Sequence, residues 1–367
     1  MSSRYDGRLL LLVAVGVAAF LATAATAADV PEEPAYDPEI AAMLEEIDGT
    51  ELYRTTRDLQ NFPTRAFGTD GNREAGGYLY RRLAEIPGLS VEFQGGDLRN
   101  VVATLPGSGN ASDGVVVVGA HYDSTSSDPA RAPGAADNGC GVAIVLELAR
   151  VMSERSFDRT VEFAFWNAEE IGLVGSRRYV GAAADRESEI LLYLNYDSAC
   201  GEPGGPPVAN VLYNKEAHEA AVLAAHHNTI YGINLTLTRK PGSHVSDHTP
   251  FWAAGYPAMM THAPPQQSAH TPDDTIDRIS FPYAVKNARL GLSVLAKAAD
   301  AEGGIATRWT VLHTAPDWSR LFTIAGCDYP GTLAAGSPRL LQGPGLLMLP
   351  GVAVSTPPGS AAGVSYY

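Results

Sequence analysis

Cysteine is scarce in this chain: 367 residues hold three, Cys140, Cys200 and Cys327. Their spacing matches no zinc-finger pattern, which argues against a cysteine-bound structural metal. An odd count also leaves one thiol without an intramolecular partner. Positive charge is in short supply as well, with 26 Lys and Arg against 41 Asp and Glu, a formal net charge of −15 and a pI near 5.0. That balance argues against nucleic acid and anionic membrane surfaces as partners. There is no internal repeat. The apolar run over residues 9–21 is short for a membrane span, which needs about 20 residues. It follows Arg4 and Arg8 and precedes Ala25-Thr26-Ala27, a small-x-small cleavage site. Residues 1–27 therefore read as a secretion signal, with no twin arginine and no lipid-attachment cysteine beside it. The protein is expected to be secreted or extracytoplasmic, and to touch a membrane only if the signal stays uncleaved.

What remains is ordinary globular composition, 45% hydrophobic. Residues 91–93 and 100–105 read as an early strand pair. Residues 115–120 are continuously apolar, as in a strand buried on both faces. Further strands are expected over 161–166, 191–196 and 257–261. Helical spacing marks 37–59, 73–83, 141–152, 172–180, 217–231 and 281–299. Strands alternating with helices predict an α/β fold with a mixed, mostly parallel central sheet flanked by helices. One main domain is expected over residues 28–303. Residues 304–367, rich in Gly and Pro, read as an irregular extension.

Ligand-type residues sit where the predicted strands end. His121-Tyr122-Asp123-Ser124 follows the 115–120 strand, and ligands of open α/β sheets bind outside such carboxyl ends. His121 and Asp123 are two apart, so on extended backbone they face one way, and Asp123 can hold the second imidazole nitrogen. Asp137 opens the 141–152 helix, where an ordinary N-cap is the competing reading. Glu169 and Glu170 follow the 161–166 strand. On extended backbone neighbouring side chains diverge, which implies that one binds metal and the other serves as general base. Asp197 closes the 191–196 strand. His270 lies in the loop beyond 257–261, followed by Asp273 and Asp274, either of which is a candidate turn cap. Nitrogen and oxygen donors without thiolate suit zinc. One catalytic zinc needs three protein ligands, so five candidates, His121, Asp137, Glu170, Asp197 and His270, imply two zinc ions sharing a carboxylate.

Over residues 58–299 the chain resembles the zinc metallopeptidases of family twenty-eight, which include secreted bacterial leucyl aminopeptidases. The resemblance rests on His121-Tyr122-Asp123-Ser124, Asp137-Asn138-Gly139-Cys140, Asn167-Ala168-Glu169-Glu170, Asn195-Tyr196-Asp197-Ser198, Ser246-Asp247-His248 and His270-Thr271-Pro272-Asp273. It implies that Asp137 bridges two zinc ions, that Asp197 and His121 share one, and that Glu170 and His270 share the other. It further implies Glu169 as general base, Asp123 as the partner of His121, and a cis peptide after Asp137. The family often has a second Asp where this chain has Asn138, a position that is usually no ligand. His244, His248 and His262 are left unassigned. Substrates are then peptides with a free N-terminus, Asp247 lies at the pocket rim, and Phe251, Trp252 and Tyr256 are expected apolar walls. A glutaminyl cyclase of the same fold, with one zinc, is an alternative, and so is a non-catalytic module. A carboxypeptidase or deacylase would want an arginine, for which Arg177, Arg178 and Arg239 are available. Cys140 and Cys200 each follow a candidate ligand, Asp137 and Asp197, by three residues. Converging ligands would bring these cysteines together, leaving room for a disulfide and making Cys327 the odd thiol.

Overall fold

The computed structural model describes residues 36–108, 114–242 and 246–300, with the backbone of 306–312, 322–323 and 340–342. The signal segment, His244 and Cys327 lie outside the described residues. The helices are α1 (Pro38–Glu45), α2 (Gly49–Gln60), α3 (Asp70–Ala84), α4 (Cys140–Ser153), α5 (Val174–Asp185), α6 (His218–Ile230), α7 (His248–Ala253) and α8 (Phe281–Ala299). The strands are β1 (Ser90–Gln94), β2 (Asn100–Leu105), β3 (Val115–His121), β4 (Arg155–Ser156), β5 (Thr160–Trp166), β6 (Ile190–Tyr196), β7 (Val208–Tyr213), β8 (Thr236–Pro241), β9 (Ala258–His262), β10 (Ala306–Leu312), β11 (Phe322–Thr323) and β12 (Leu340–Gln342).

Eight strands form one mixed sheet in the order β1-β2-β5-β3-β6-β9-β7-β8. Its centre, β5-β3-β6-β9, is parallel throughout, and β2 and β7 flank that centre antiparallel. The sheet is therefore mixed and mostly parallel, as the alternation of elements predicts. Strand alternation assigns the two faces. Val116, Val118, Ala120, Phe163, Phe165, Leu192 and Leu194 point into the larger core, with α1, α2, α3, α4, α6 and α8. The opposite parity, Val102, Val117, Ala164, Trp166 and Tyr193, meets Tyr179, Val180 and Ala183 of α5 and Phe251 of α7. Helix α4 is apolar almost all round because it is covered on the outside as well, by α2 and α8.

The sequence expectation differs from the structure in three respects. The single helix expected over 37–59 is two, because the Asp48 side chain accepts the Thr50 N–H at 2.7 Å and starts a second helix there. Strands β7 and β8 and helix α7 are additional. In the extension, β10 pairs antiparallel with β4, β11 and β12, so the described part of a segment expected to be irregular is a small β-unit. The remainder of 301–367 lies outside the described residues.

Cys140, the first residue of α4, and Cys200, just after β6, form a disulfide with Cα atoms 6.3 Å apart. It closes a loop whose ends are 60 residues apart in sequence. By chain entropy such a link is worth about 4 kcal/mol. Replacing both cysteines by serine is accordingly expected to lower unfolding free energy by roughly 2–4 kcal/mol in denaturant titrations. An unchanged midpoint would show that the link contributes nothing to stability.

Candidate metal centre

All five expected ligands reach the carboxyl ends of the parallel strands. Strand β3 is the pivot: β5 lies on one side of it and β6 on the other, so the connections leave in opposite directions and open a crevice. His121 ends β3, and Asp137 lies between β3 and α4. Glu169 and Glu170 follow β5, Asp197 follows β6, and His270 comes eight residues after β9 ends.

Asp137 stands between the two imidazoles. Its Oδ1 is 3.2 Å from His121 Nε2, and its Oδ2 is 3.0 Å from His270 Nε2. His121 Nε2 is also 3.7 Å from Asp197 Oδ1, and His270 Nε2 is 3.3 Å from Glu170 Oε2. Ligand atoms bound at 2.0–2.1 Å to a tetrahedral zinc lie about 3.3 Å apart, so these separations match the edges of two tetrahedra sharing Asp137. Glu169 lies on the side of His121 and Asp197: one atom from each comes within 4.8 Å of the others. Glu170 lies with Asp137 and His270.

Asp123 has a larger part than orienting one imidazole. His121 Nδ1 is 3.2 Å from the Asp123 backbone carbonyl and 3.6 Å from its Oδ1. The same carboxylate accepts the Glu169 N–H at Oδ1 (3.1 Å) and the Glu170 N–H at Oδ2 (3.2 Å). The glutamates thus diverge within a turn, where strand alternation was the expected cause. The chain leaves β5 through Ala168 at φ 61°. Left-handed backbone recurs at Ser198 (φ 48°), after Asp197, and at His270 itself (φ 58°). Non-glycine residues in this region are uncommon and gather at functional sites.

The Asp137 turn is held from its far side. Asp274 accepts the Ala136 N–H at Oδ1 (2.8 Å) and the Asp137 N–H at Oδ2 (3.0 Å). It ties the His270 loop to the Asp137 loop, and the turn it caps lies far before it in sequence, not the following turn that the sequence suggested. The Asp137–Asn138 peptide is cis. Asn138 points away and donates its amide to the Tyr196 carbonyl at 2.8 Å, a bond an ionised aspartate could not make. Gly141 is needed beneath it, since a Cβ there would lie 2.1 Å from Asn138 Oδ1.

Asp247 is fully buried, not at a rim, and accepts the Ser176 hydroxyl. Phe251 is likewise fully buried, stacked on Tyr193 with ring centroids 3.9 Å apart, and belongs to the core behind the site. Both expectations failed for one reason: α7 packs its inner side onto β6, which the sequence around Ser246 does not announce. Trp252 and Tyr256 are partly buried. A buried network links Trp166 Nε1 to the Tyr193 hydroxyl, that hydroxyl to Asn195 Oδ1, and Asn195 Nδ2 to Ser246. Sequence reasoning also missed Arg65, which is wholly buried and whose guanidinium burial lowers to about 10.

The only positive charge that meets the carboxylates of the site among the described residues is that of its two imidazoles. Among the described residues no Lys or Arg is within ion-pair distance of Asp137, Glu169, Glu170 or Asp197. Burial raises Glu169 to about 9, with Asp247, Asp197 and Glu170 adding to the rise against His121. Burial and then Asp137 raise Glu170 to about 8. Burial raises Asp247 to about 7. His270 is raised to about 9, chiefly by its hydrogen bond with Asp137. For Asp137 burial is outweighed by hydrogen bonds from His121 and His270, which hold it well below the usual carboxylate range. Glu170 Oε1 is buried without a hydrogen-bond partner. Carboxylates that carry their charge poorly, two imidazoles and an orphaned oxygen together fit dications, whose charge would bring the raised groups back down.

Comparison with known proteins agrees with this chemistry. The model of Peptidase family M28 matches residues 100–295. The chain is 27% identical over 297 residues to a probable leucine aminopeptidase of Trichophyton verrucosum, covering 75% of this chain and 80% of that protein. Its fold is similar to that of the LapA aminopeptidase of Legionella pneumophila, with a TM-score of 0.66, 21% identity, and 73% and 76% of the two chains covered. A glutaminyl cyclase of Fimbriiglobus ruber shares the fold at a TM-score of 0.58 and 16% identity, over 68% and 95% of the chains.

Proposed function

The chain belongs to peptidase family M28, and we propose that it is a zinc-dependent aminopeptidase that carries two zinc ions and works outside the cytoplasm on peptides with a free N-terminus. The observation that carries this reading is the Asp137 carboxylate, with one oxygen 3.2 Å from His121 and the other 3.0 Å from His270. A single ion would leave one of those imidazoles without a role. That favours the peptidase reading over a one-zinc cyclase. The retention of a full donor set beside Glu169 favours it over a non-catalytic module. Export is supported by the 1–27 signal pattern and by the Cys140–Cys200 disulfide, which suits an oxidising compartment.

His121 and Asp197 would hold one ion, Glu170 and His270 the other, with Asp137 common to both. Bound zinc supplies Lewis acidity and a water whose pKa is brought towards neutral. Glu169 takes the proton of the attacking water and returns it to the leaving amine. Asp123 fixes both glutamate amides, so the Glu169 carboxylate keeps its place while its charge changes. The surrounding carboxylates attract a substrate ammonium and repel a free carboxylate.

The test is a paired assay on leucyl-p-nitroanilide and its N-acetylated form, with zinc counted in the same dialysed sample. The free amine is expected to be cleaved, the blocked form to be left intact, and two zinc ions to be retained. Equal rates on both substrates would move the assignment to a deacylase or endopeptidase. One zinc with no cleavage would favour the cyclase.

A further inference from the structure

We infer that Arg65 is a positioning residue for the metal centre: its guanidinium clamps together the two backbone segments that present His121 and Asp137. This rests on the reading of those residues as metal ligands. Arg65 is 0% exposed, and it pairs with no carboxylate within ion-pair distance among the described residues. Every hydrogen bond of its guanidinium goes to a main-chain carbonyl. Nε donates to Tyr122 at 2.9 Å, Nη1 to Leu59 at 3.0 Å and to Pro133 at 2.6 Å, and Nη2 to Gly134 at 2.8 Å.

Two of these carbonyls matter for the site. That of Tyr122 lies between His121 and Asp123, the residues that supply one imidazole and hold the glutamate amides. That of Gly134 closes the turn carrying Asp137, since it also accepts the Gly139 N–H at 2.9 Å. One rigid planar fork therefore spans from the end of β3 to the Asp137 turn. It bears on the separation at which Asp137 Oδ1 meets His121 Nε2. Crowding confirms that the fit is close: a Cβ on Gly134, whose φ is +51°, would lie 2.9 Å from Arg65 Nη2. The Arg65 backbone is fixed in turn, its N–H donating to Ser124 Oγ at 3.1 Å while that hydroxyl donates to the Ala132 carbonyl at 2.8 Å.

A burial that costs this much is a poor way to gain stability alone. A guanidinium has donors on three nitrogens in one plane, whereas lysine has three on one atom. Arg65→Lys keeps the charge but cannot reach both carbonyls with that geometry.

The experiment measures zinc affinity on chelator-stripped protein, by competition with a chromophoric chelator, for the wild type, Arg65→Lys and Ser124→Ala, with circular dichroism on each. Supporting groups around metal ligands are worth roughly 10–100-fold in affinity, and Arg65→Lys is expected to lose about that much while staying folded. Ser124→Ala, which loosens the arginine backbone and leaves the charge in place, is expected to lose severalfold. A lower melting temperature with wild-type zinc affinity in a folded Arg65→Lys would make Arg65 a residue of the fold only and overturn the inference. Should that variant not fold, unchanged affinity in Ser124→Ala overturns it. If the stripped wild type itself takes up no zinc, the metal-centre reading fails first, a result distinct from both.

Discussion

Glu169→Gln is expected to cut turnover by on the order of a hundredfold or more, the contribution usual for a general base, while fold and metal content stay as they are. The amide preserves shape and volume but cannot take a proton from water. The anchoring of the residue survives the change, because Asp123 holds Glu169 through its backbone N–H. The side chain sits with His121 and Asp197, not with His270 and Glu170. Burial raises it to about 9 against the pull of His121, so the basic form depends on further positive charge brought close to it. The measurement is kcat on leucyl-p-nitroanilide beside zinc analysis of the same sample. Near-normal turnover with full metal would show that Glu169 is not the base.

Asp137→Ala is expected to be more severe and of a different kind. It removes the one group common to both halves of the centre, leaving His121 with Asp197 and His270 with Glu170. Zinc affinity should fall by on the order of a hundredfold or more, since lesser changes around metal ligands already cost 10–100-fold. Turnover should be lost with it, and added zinc should restore little. The turn itself should persist, as Asp274 binds the backbone N–H groups of Ala136 and of residue 137 and not the side chain. Zinc content after dialysis, with circular dichroism for the fold, decides this. Two tightly held zinc ions in the alanine variant would remove Asp137 from the bridging role.

How legible these features were depended on how locally each is specified. Strand β3 and helix α8 were plain, because an unbroken run of valines can be buried only on both faces of a sheet, and because Phe281–Ala299 repeats its apolar residues at helical spacing. Strand β8 was not, because Thr236–Pro241 is an edge strand whose residues are exposed or half-buried, so no alternation marks it. Helix α7 was too short, at six residues, for any period to show. The break between α1 and α2 was written in Asp48 and Gly49, yet the apolar spacing across it masked the cap.

By itself the sequence determined the α/β class and the five ligand-type residues at the carboxyl ends of strands. Each is a matter of residue type and local periodicity, which the chain carries wherever it folds. Only the tertiary structure decided that Asp123 holds the glutamate amides, that Asp274 caps the Asp137 turn, that Asp247 and Phe251 lie behind the site, and that Arg65 gathers carbonyls around it. Apart from the bond of Arg65 to Leu59, those contacts join residues from 46 to 138 positions apart or depend on how α7 packs. A hydrogen bond between distant segments leaves no period in the sequence, and a buried arginine is written with the same letter as an exposed one.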